Sequence, residues 1–346
     1  MPNKGQIRVL VVDDSVMVRN ILRSLLEEGN QIKVVGEAED GVQAVAMTKE
    51  LKPDLVTMDI VMPVMGGLDA ISEIMAATAV PILVVSSQSD AKLAFEAVSR
   101  GALDVIAKPD VNQGAALRDK VMLLNGVKVI THIRKSPKAA QKTPPLLTQM
   151  DDSHRLVFAI ASSTGGPGAL TALLGDLPQH FPHPVVVAQH IADGFAQGLA
   201  ELLDSKSPLS VRLAKDGDIL EPGCVYISPS DTNLVVQRSG MLRLLEHEKK
   251  QFFRPSCDVL LSSVAESFGS RAVGIILTGM GRDGVCGMER IVKAGGATLA
   301  QDEASSVVFG MNNEAIKSGC VQKVLSPIQL AAEMCDLAAS ASRAVV

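Results

Sequence analysis

Two groups of residues in this 346-residue chain have types and spacing that could do chemistry. The first centres on "AIASSTGGPGAL", residues 159–170, where Ser162, Ser163, Thr164 and two glycines directly follow an apolar run. Such a turn can hold an anion, bend a chain or present a nucleophile. A serine hydroxyl becomes a useful nucleophile only with a histidine in hydrogen-bond reach and a third group that orients the imidazole. Of the six histidines, His132 and His154 flank a proline-rich stretch, His180 and His183 bracket "HFPHP", and His247 lies in the charged "EHEKK". His190 alone ends a strongly apolar strand, "VVVAQH", and so should share the edge of the serine turn. Asp283, after the strand and glycine-rich turn of "AVGIILTGMGRDG", supplies a strand-end carboxylate. The same turn raises a rival reading. Gly279, Gly281 and Gly284 fit G-x-G-x-x-G between a strand and a helix, and Asp302 follows roughly 20 residues later, as in a dinucleotide site. That reading leaves the serine turn and His190 without a role.

The second group is acidic. Asp13 and Asp14 end the first apolar strand, Asp59 the third, Ser86 the fourth and Lys108 the fifth. In a doubly wound sheet these ends converge on the ligand-binding edge. Converging carboxylates repel unless a hard divalent cation neutralises them, and an all-oxygen donor set favours Mg²⁺. A lysine and a hydroxyl beside them suit a phosphoryl group.

Two runs of elements must position these side chains. "IRVLVVDDS", "KVVGEA", "DLVTMDI", "PILVVSS" and "DVIAKP" read as five strands, each nearly continuous in apolar character, as expected of parallel strands buried on both faces. Residues 131–153 carry three prolines and no acid before Asp151, and read as a basic linker. The alternation resumes with "RLVFAIASS", "HPVVVAQH", "GCVYISP", "NLVVQ", "AVGIILTG" and "GATLAQD", closing on a helix near "PIQLAAEMCDLAAS". The expected class is α/β, with two doubly wound parallel-sheet domains: residues 1–130, the linker 131–153, and residues 154–346. A net charge of −5 and the absence of tryptophan argue against nucleic acid as a partner. No apolar run reaches the ~18 residues of a membrane span, and five cysteines without zinc-type pairing fit a reducing cytoplasm.

Residues 5–125, through "VLVVDDS", "DLVTMDIVMPVMGGLDA", "PILVVSS" and "GALDVIAKP", resemble the receiver domain of two-component response regulators, a flavodoxin-like fold. The resemblance implies that Asp59 accepts a phosphoryl group from a chemotaxis histidine kinase. It also implies that Asp13, Asp14, Asp59 and the Val61 carbonyl hold Mg²⁺, and that Ser86 and Lys108 contact the phosphoryl group. Val105 stands where many receivers carry an aromatic switch residue. From residue 156 to about 340, "SSTGGPGAL", "VVVAQHI", "FRPSCDVL" and "ILTGMGRDG" resemble the chemotaxis protein-glutamate methylesterases, with a Rossmann-like catalytic domain that needs no cofactor. In that family the nucleophile directly precedes Thr-Gly-Gly, which implies Ser163. Ser162 then occupies a position where alanine is usual. His190 carries over as general base and Asp283 as its orienting carboxylate. Thr164 and the backbone at Met280 are candidates for the oxyanion region, and Arg254 for shaping the cleft. The implied reaction is phosphorylation-regulated hydrolysis of glutamyl γ-methyl esters on the cytoplasmic domains of methylated chemoreceptors. Some members also deamidate receptor glutamines. A receiver joined to a binding module without chemistry is the alternative class, and the intact Ser163, His190 and Asp283 oppose it.

Overall fold

The computed structural model describes residues 5–110, 114–127, 155–247, 251 and 253–343. They fall into two compact units, divided between Lys135 and Ser136. The linker at 131–153, with His132, lies outside the described residues, as does His154.

The first unit is built on strands β1 (Ile7–Val12), β2 (Ile32–Ala38), β3 (Leu55–Met58), β4 (Ile82–Ser86) and β5 (Asp104–Ala107). They pair in parallel in the order β2-β1-β3-β4-β5. This is the 2-1-3-4-5 order of flavodoxin-like folds, whose ligands sit beyond the carboxyl ends of the strands. β3 and β4 are buried at every position, which explains their unbroken apolar sequence. Helices α1 (Val16–Glu27), α2 (Gly41–Leu51), α3 (Gly67–Ala77) and α4 (Ala91–Ser99) make the crossovers, and α5 (Gly114–Leu124) follows the last strand. Ser15 and Asp40 cap α1 and α2 by accepting from the Val18 and Gln43 N–H groups. At Gly67 a Cβ would lie 2.0 Å from the Asp59 carbonyl oxygen, so only glycine lets α3 start this close to the end of β3.

The second unit has a seven-stranded parallel sheet in the order β14-β13-β12-β6-β7-β9-β8. Its strands are β6 (Val157–Ser162), β7 (Val185–Gln189), β8 (Ser210–Leu213), β9 (Cys224–Ile227), β12 (Ala272–Ile276), β13 (Ala297–Gln301) and β14 (Lys323–Leu325). β10 (Thr232–Val236) and β11 (Leu242–Glu246) form a separate antiparallel hairpin. The stretch "NLVVQ" therefore belongs to that hairpin and not to the parallel sheet. Helices α6 (Gly166–Gly175), α7 (Ala196–Lys206), α8 (Cys257–Phe268), α9 (Val285–Lys293), α10 (Met311–Lys317) and α11 (Pro327–Arg343) complete the unit. From β6 the chain builds outward through β7 to β9 and β8, then returns to the other side of β6 as β12, β13 and β14. The strand order reverses between β6 and β12, and such a reversal opens a crevice at the carboxyl ends. Ser163 follows β6, His190 follows β7, and Asp283 lies in the β12–α9 turn.

Candidate active site and phosphoryl-acceptor site

The serine turn is positioned from both neighbouring strands. The Ser163 N–H donates to the Thr278 carbonyl at 3.0 Å beyond β12, and the His190 N–H donates to the Ser162 carbonyl at 3.0 Å from beyond β7. Gly165 adopts φ +78°, in the left-handed region, and starts α6 directly behind Ser163. The Thr278 hydroxyl donates to the Thr164 carbonyl at 2.9 Å, fixing the next residue of the turn. Ser162 is fully buried, whereas Ser163 retains 8% exposure, so of the two serines only Ser163 reaches solvent at all.

His190 Nε2 meets Asp283 Oδ2 at 2.7 Å. In a neutral imidazole this pairing puts the proton on Nε2 and the lone pair on Nδ1. Asp283 is itself held at the amino terminus of α8. Its Oδ2 also accepts from the Cys257 N–H at 2.7 Å, and its Oδ1 accepts from the Asp258 N–H at 2.9 Å and the Ser256 hydroxyl at 3.1 Å. Burial pushes the Asp283 carboxyl up, but the hydrogen bonds from His190 and the helix amides outweigh it, and the net shift is downward. Phe253 stacks on the imidazole, with centroids 4.9 Å apart and planes 11° off parallel. Cys257 Sγ lies 3.5 Å from His190 Nε2, and burial followed by the Asp283 charge pushes its thiol well up.

The predicted cleft residues differ in exposure. Thr164 is buried in the turn, Met280 is half exposed, and Arg254 is exposed, with its carbonyl accepting from the Ile191 N–H at 3.1 Å. Sequence reasoning did not single out Gln189, Phe253, Ser256 or Cys257. Ser256 had a readable signal, because Pro-Ser before a helical stretch marks an N-cap. The glycines of the rival reading are consumed by packing. A Cβ at Gly279 would meet Met311 Sδ at 2.4 Å and Ser163 Cβ at 2.6 Å, and one at Gly284 would meet Ala161 Cβ at 3.2 Å. The turn is pressed against the serine turn, and Asp283 is spent on His190.

In the first unit Asp13, Asp14 and Asp59 offer oxygens that all lie within 4.8 Å of one another. Lys108 Nζ bridges two of them, 2.7 Å from Asp13 Oδ2 and 2.9 Å from Asp59 Oδ2. Burial raises the Asp59 carboxyl pKa, and the Lys108 ammonium opposes that rise. The Ser86 hydroxyl is buried with no hydrogen-bond partner among the described residues. A buried hydroxyl beside a three-carboxylate cluster fits a hard cation and an incoming phosphoryl group. Val61, whose carbonyl completes the predicted donor set, is exposed immediately beyond Asp59 and Ile60.

Together these features define a class: an α/β protein with a serine turn and a His190–Asp283 pair at the topological switch point of its second unit, joined to a receiver. Residues 158–334 match the CheB methylesterase family, and residues 9–121 match the response regulator receiver domain. The chain belongs to the CheB methylesterase family. It is 51% identical to protein-glutamate methylesterase/protein-glutamine glutaminase 3 of Paramagnetospirillum magneticum, covering 97% of this chain and 98% of that protein. It is 44% identical to protein-glutamate methylesterase/protein-glutamine glutaminase 2 of Anaeromyxobacter dehalogenans, covering 92% and 93%. The crystal structure of the Thermotoga maritima CheB methylesterase catalytic domain superposes with TM-score 0.51 at 38% identity, covering 53% of this chain and 98% of that one. These likenesses favour the esterase reading over a dinucleotide site or an inert binding module. No helix of the described residues is long and apolar enough to cross a membrane.

Proposed function

We propose that this protein hydrolyses γ-methyl esters of glutamate side chains on the cytoplasmic domains of methylated chemoreceptors, with the rate set by phosphorylation of its receiver domain. The observation that carries the reading is the 2.7 Å His190–Asp283 pair, on the segments that follow the two strands flanking the one before Ser163. Ser163 Oγ attacks the ester carbonyl while His190 Nδ1 takes the hydroxyl proton. Asp283 holds the opposite nitrogen and stabilises the imidazolium. Backbone N–H groups near Thr164 and Met280 receive the oxyanion. The imidazolium then protonates the departing methoxide, methanol leaves, and a γ-acyl enzyme remains. Water, deprotonated by His190, repeats the attack. Ser163 and a receptor carboxylate are restored. Attack on a receptor glutamine by the same route releases ammonia, consistent with the double names of the relatives.

In the receiver, Asp59 is the phosphoryl acceptor and a chemotaxis histidine kinase the donor. Asp13, Asp14, Asp59 and the Val61 carbonyl would hold Mg²⁺, which supplies charge neutralisation for an incoming phosphoryl group. Lys108 holds Asp59 by an ion pair, and Ser86 offers its unpartnered hydroxyl. The working compartment is the cytoplasm, where receptor methylation sites and the kinase are both reached. Methanol release from a purified, methylated receptor cytoplasmic domain tests the esterase. The wild type should release it and Ser163→Ala should not. Equal release by both would remove Ser163 from the reaction.

A further inference from the structure

Gln189, the last residue of β7, is 2% exposed and touches neither the ester path nor Asp283. Its side chain nevertheless joins the nucleophile to the base. Gln189 Nε2 donates to the Ser163 carbonyl at 2.7 Å and to the His190 carbonyl at 2.9 Å. Both amide hydrogens are thereby committed, one to each reacting residue. The other end of the amide is pinned as well, because the Ser162 hydroxyl donates to Gln189 Oε1 at 2.6 Å. The backbone leaves room for this clamp only at glycine, since a Cβ on Gly166 would lie 1.9 Å from Gln189 Oε1. Resting on the esterase reading above, we infer that Gln189 is a positioning residue that sets the spacing of Ser163 and His190. Ser162 is its orienting partner. An amide can turn over and exchange its oxygen for its nitrogen; the Ser162 hydroxyl keeps the oxygen on its own side and the two donors on the catalytic side. The first serine of the motif, Ser162, therefore serves the second, Ser163, through Gln189.

The rate constant for covalent labelling of Ser163 by a fluorophosphonate reads this clamp without any receptor. The labelled fraction at completion reports how much protein is folded. Gln189→Met keeps length and bulk but loses both donors. Ser162→Ala removes only the pin. Because misplacement by about 1 Å costs up to about 10²-fold, Gln189→Met should slow labelling by at least about tenfold with the final labelled fraction intact. Ser162→Ala should slow it about threefold. The double variant should be no slower than Gln189→Met alone, since the pin acts only through the amide. Methyl-ester turnover should follow in kcat and leave KM unchanged. Labelling constants equal to wild type in both single variants overturn the inference, as does strict additivity in the double variant. A purely structural role would lower the final labelled fraction and the melting temperature without slowing the protein that still labels. Fast labelling by a wild type that releases no methanol would overturn the esterase reading and leave the clamp standing.

Discussion

Asp283 is locked by four donors, and the consequence is a fixed histidine tautomer. Asp283→Asn keeps the shape of that cradle but can turn an amide donor toward Nε2, which would then have to accept and move its proton to Nδ1. Removing the lone pair from the nitrogen that must act as base should lower kcat by about 10³–10⁴-fold, with near-wild-type KM, as measured by methanol release. A loss of less than tenfold would mean that Nδ1 is not the base. Burial likewise sets the behaviour of His183, which the mechanism does not use. It is fully buried against Phe158 and Phe181, with ring centroids 5.9 and 6.0 Å away. Burial first, then the Arg155 charge, lowers its pKa to about 4. The unfolded chain binds this proton near pH 6.5 and the folded chain only near 4. Its contribution is therefore fully present above about 6.5 and lost as pH falls toward 4, reaching about 3 kcal/mol in all. Denaturant unfolding of wild type and His183→Leu at pH 7 and pH 4.5 checks this. The wild type should lose more stability across the interval, and parallel losses would assign the acid sensitivity elsewhere.

At the level of elements, close approaches do what long-range charge does not. Gly279 brings the loop after β12 against Ser163, and a Cβ there has nowhere to go. Gly279→Ala should therefore cut esterase activity by at least about tenfold by displacing the nucleophile, and the same turn should give no heat with NAD or NADP in calorimetry. Micromolar binding of either would restore the dinucleotide reading. The sequence made the long buried strands legible because β1, β3, β4, β6, β7 and β12 are apolar almost throughout. It did not reveal β8, β11 or β14. β14 has three residues, none fully buried, and β8 carries a serine and an arginine, so neither shows a period. "NLVVQ" looked like a sheet strand because its hairpin is half buried on the core. His190 and Asp283 stood out by residue type after apolar strands, whereas the choice of Ser163 over Ser162 came from the family resemblance and not from the local pattern. Gln189 did not stand out, because a buried glutamine at a strand end has no local signature; its partners come from β6 and from its own peptide neighbour.

On the scale of the whole molecule, each unit has its own sheet and its own core, and a catalytic domain of this family has been solved alone. A fragment of residues 154–346 should therefore fold and hydrolyse esters without responding to a phosphodonor. If the receiver restrains the esterase, this fragment should outrun the unphosphorylated full-length protein. If phosphorylation instead activates directly, it should be slower. The most direct measurement is methanol release from one methylated receptor preparation by full-length protein, with and without acetyl phosphate and Mg²⁺, for wild type, Asp59→Asn and Ser163→Ala. The prediction is a rate that rises with the phosphodonor in wild type, stays at the low level in Asp59→Asn, and is absent in Ser163→Ala under both conditions. A phosphodonor response that survives in Asp59→Asn, or methanol released by Ser163→Ala, would contradict it.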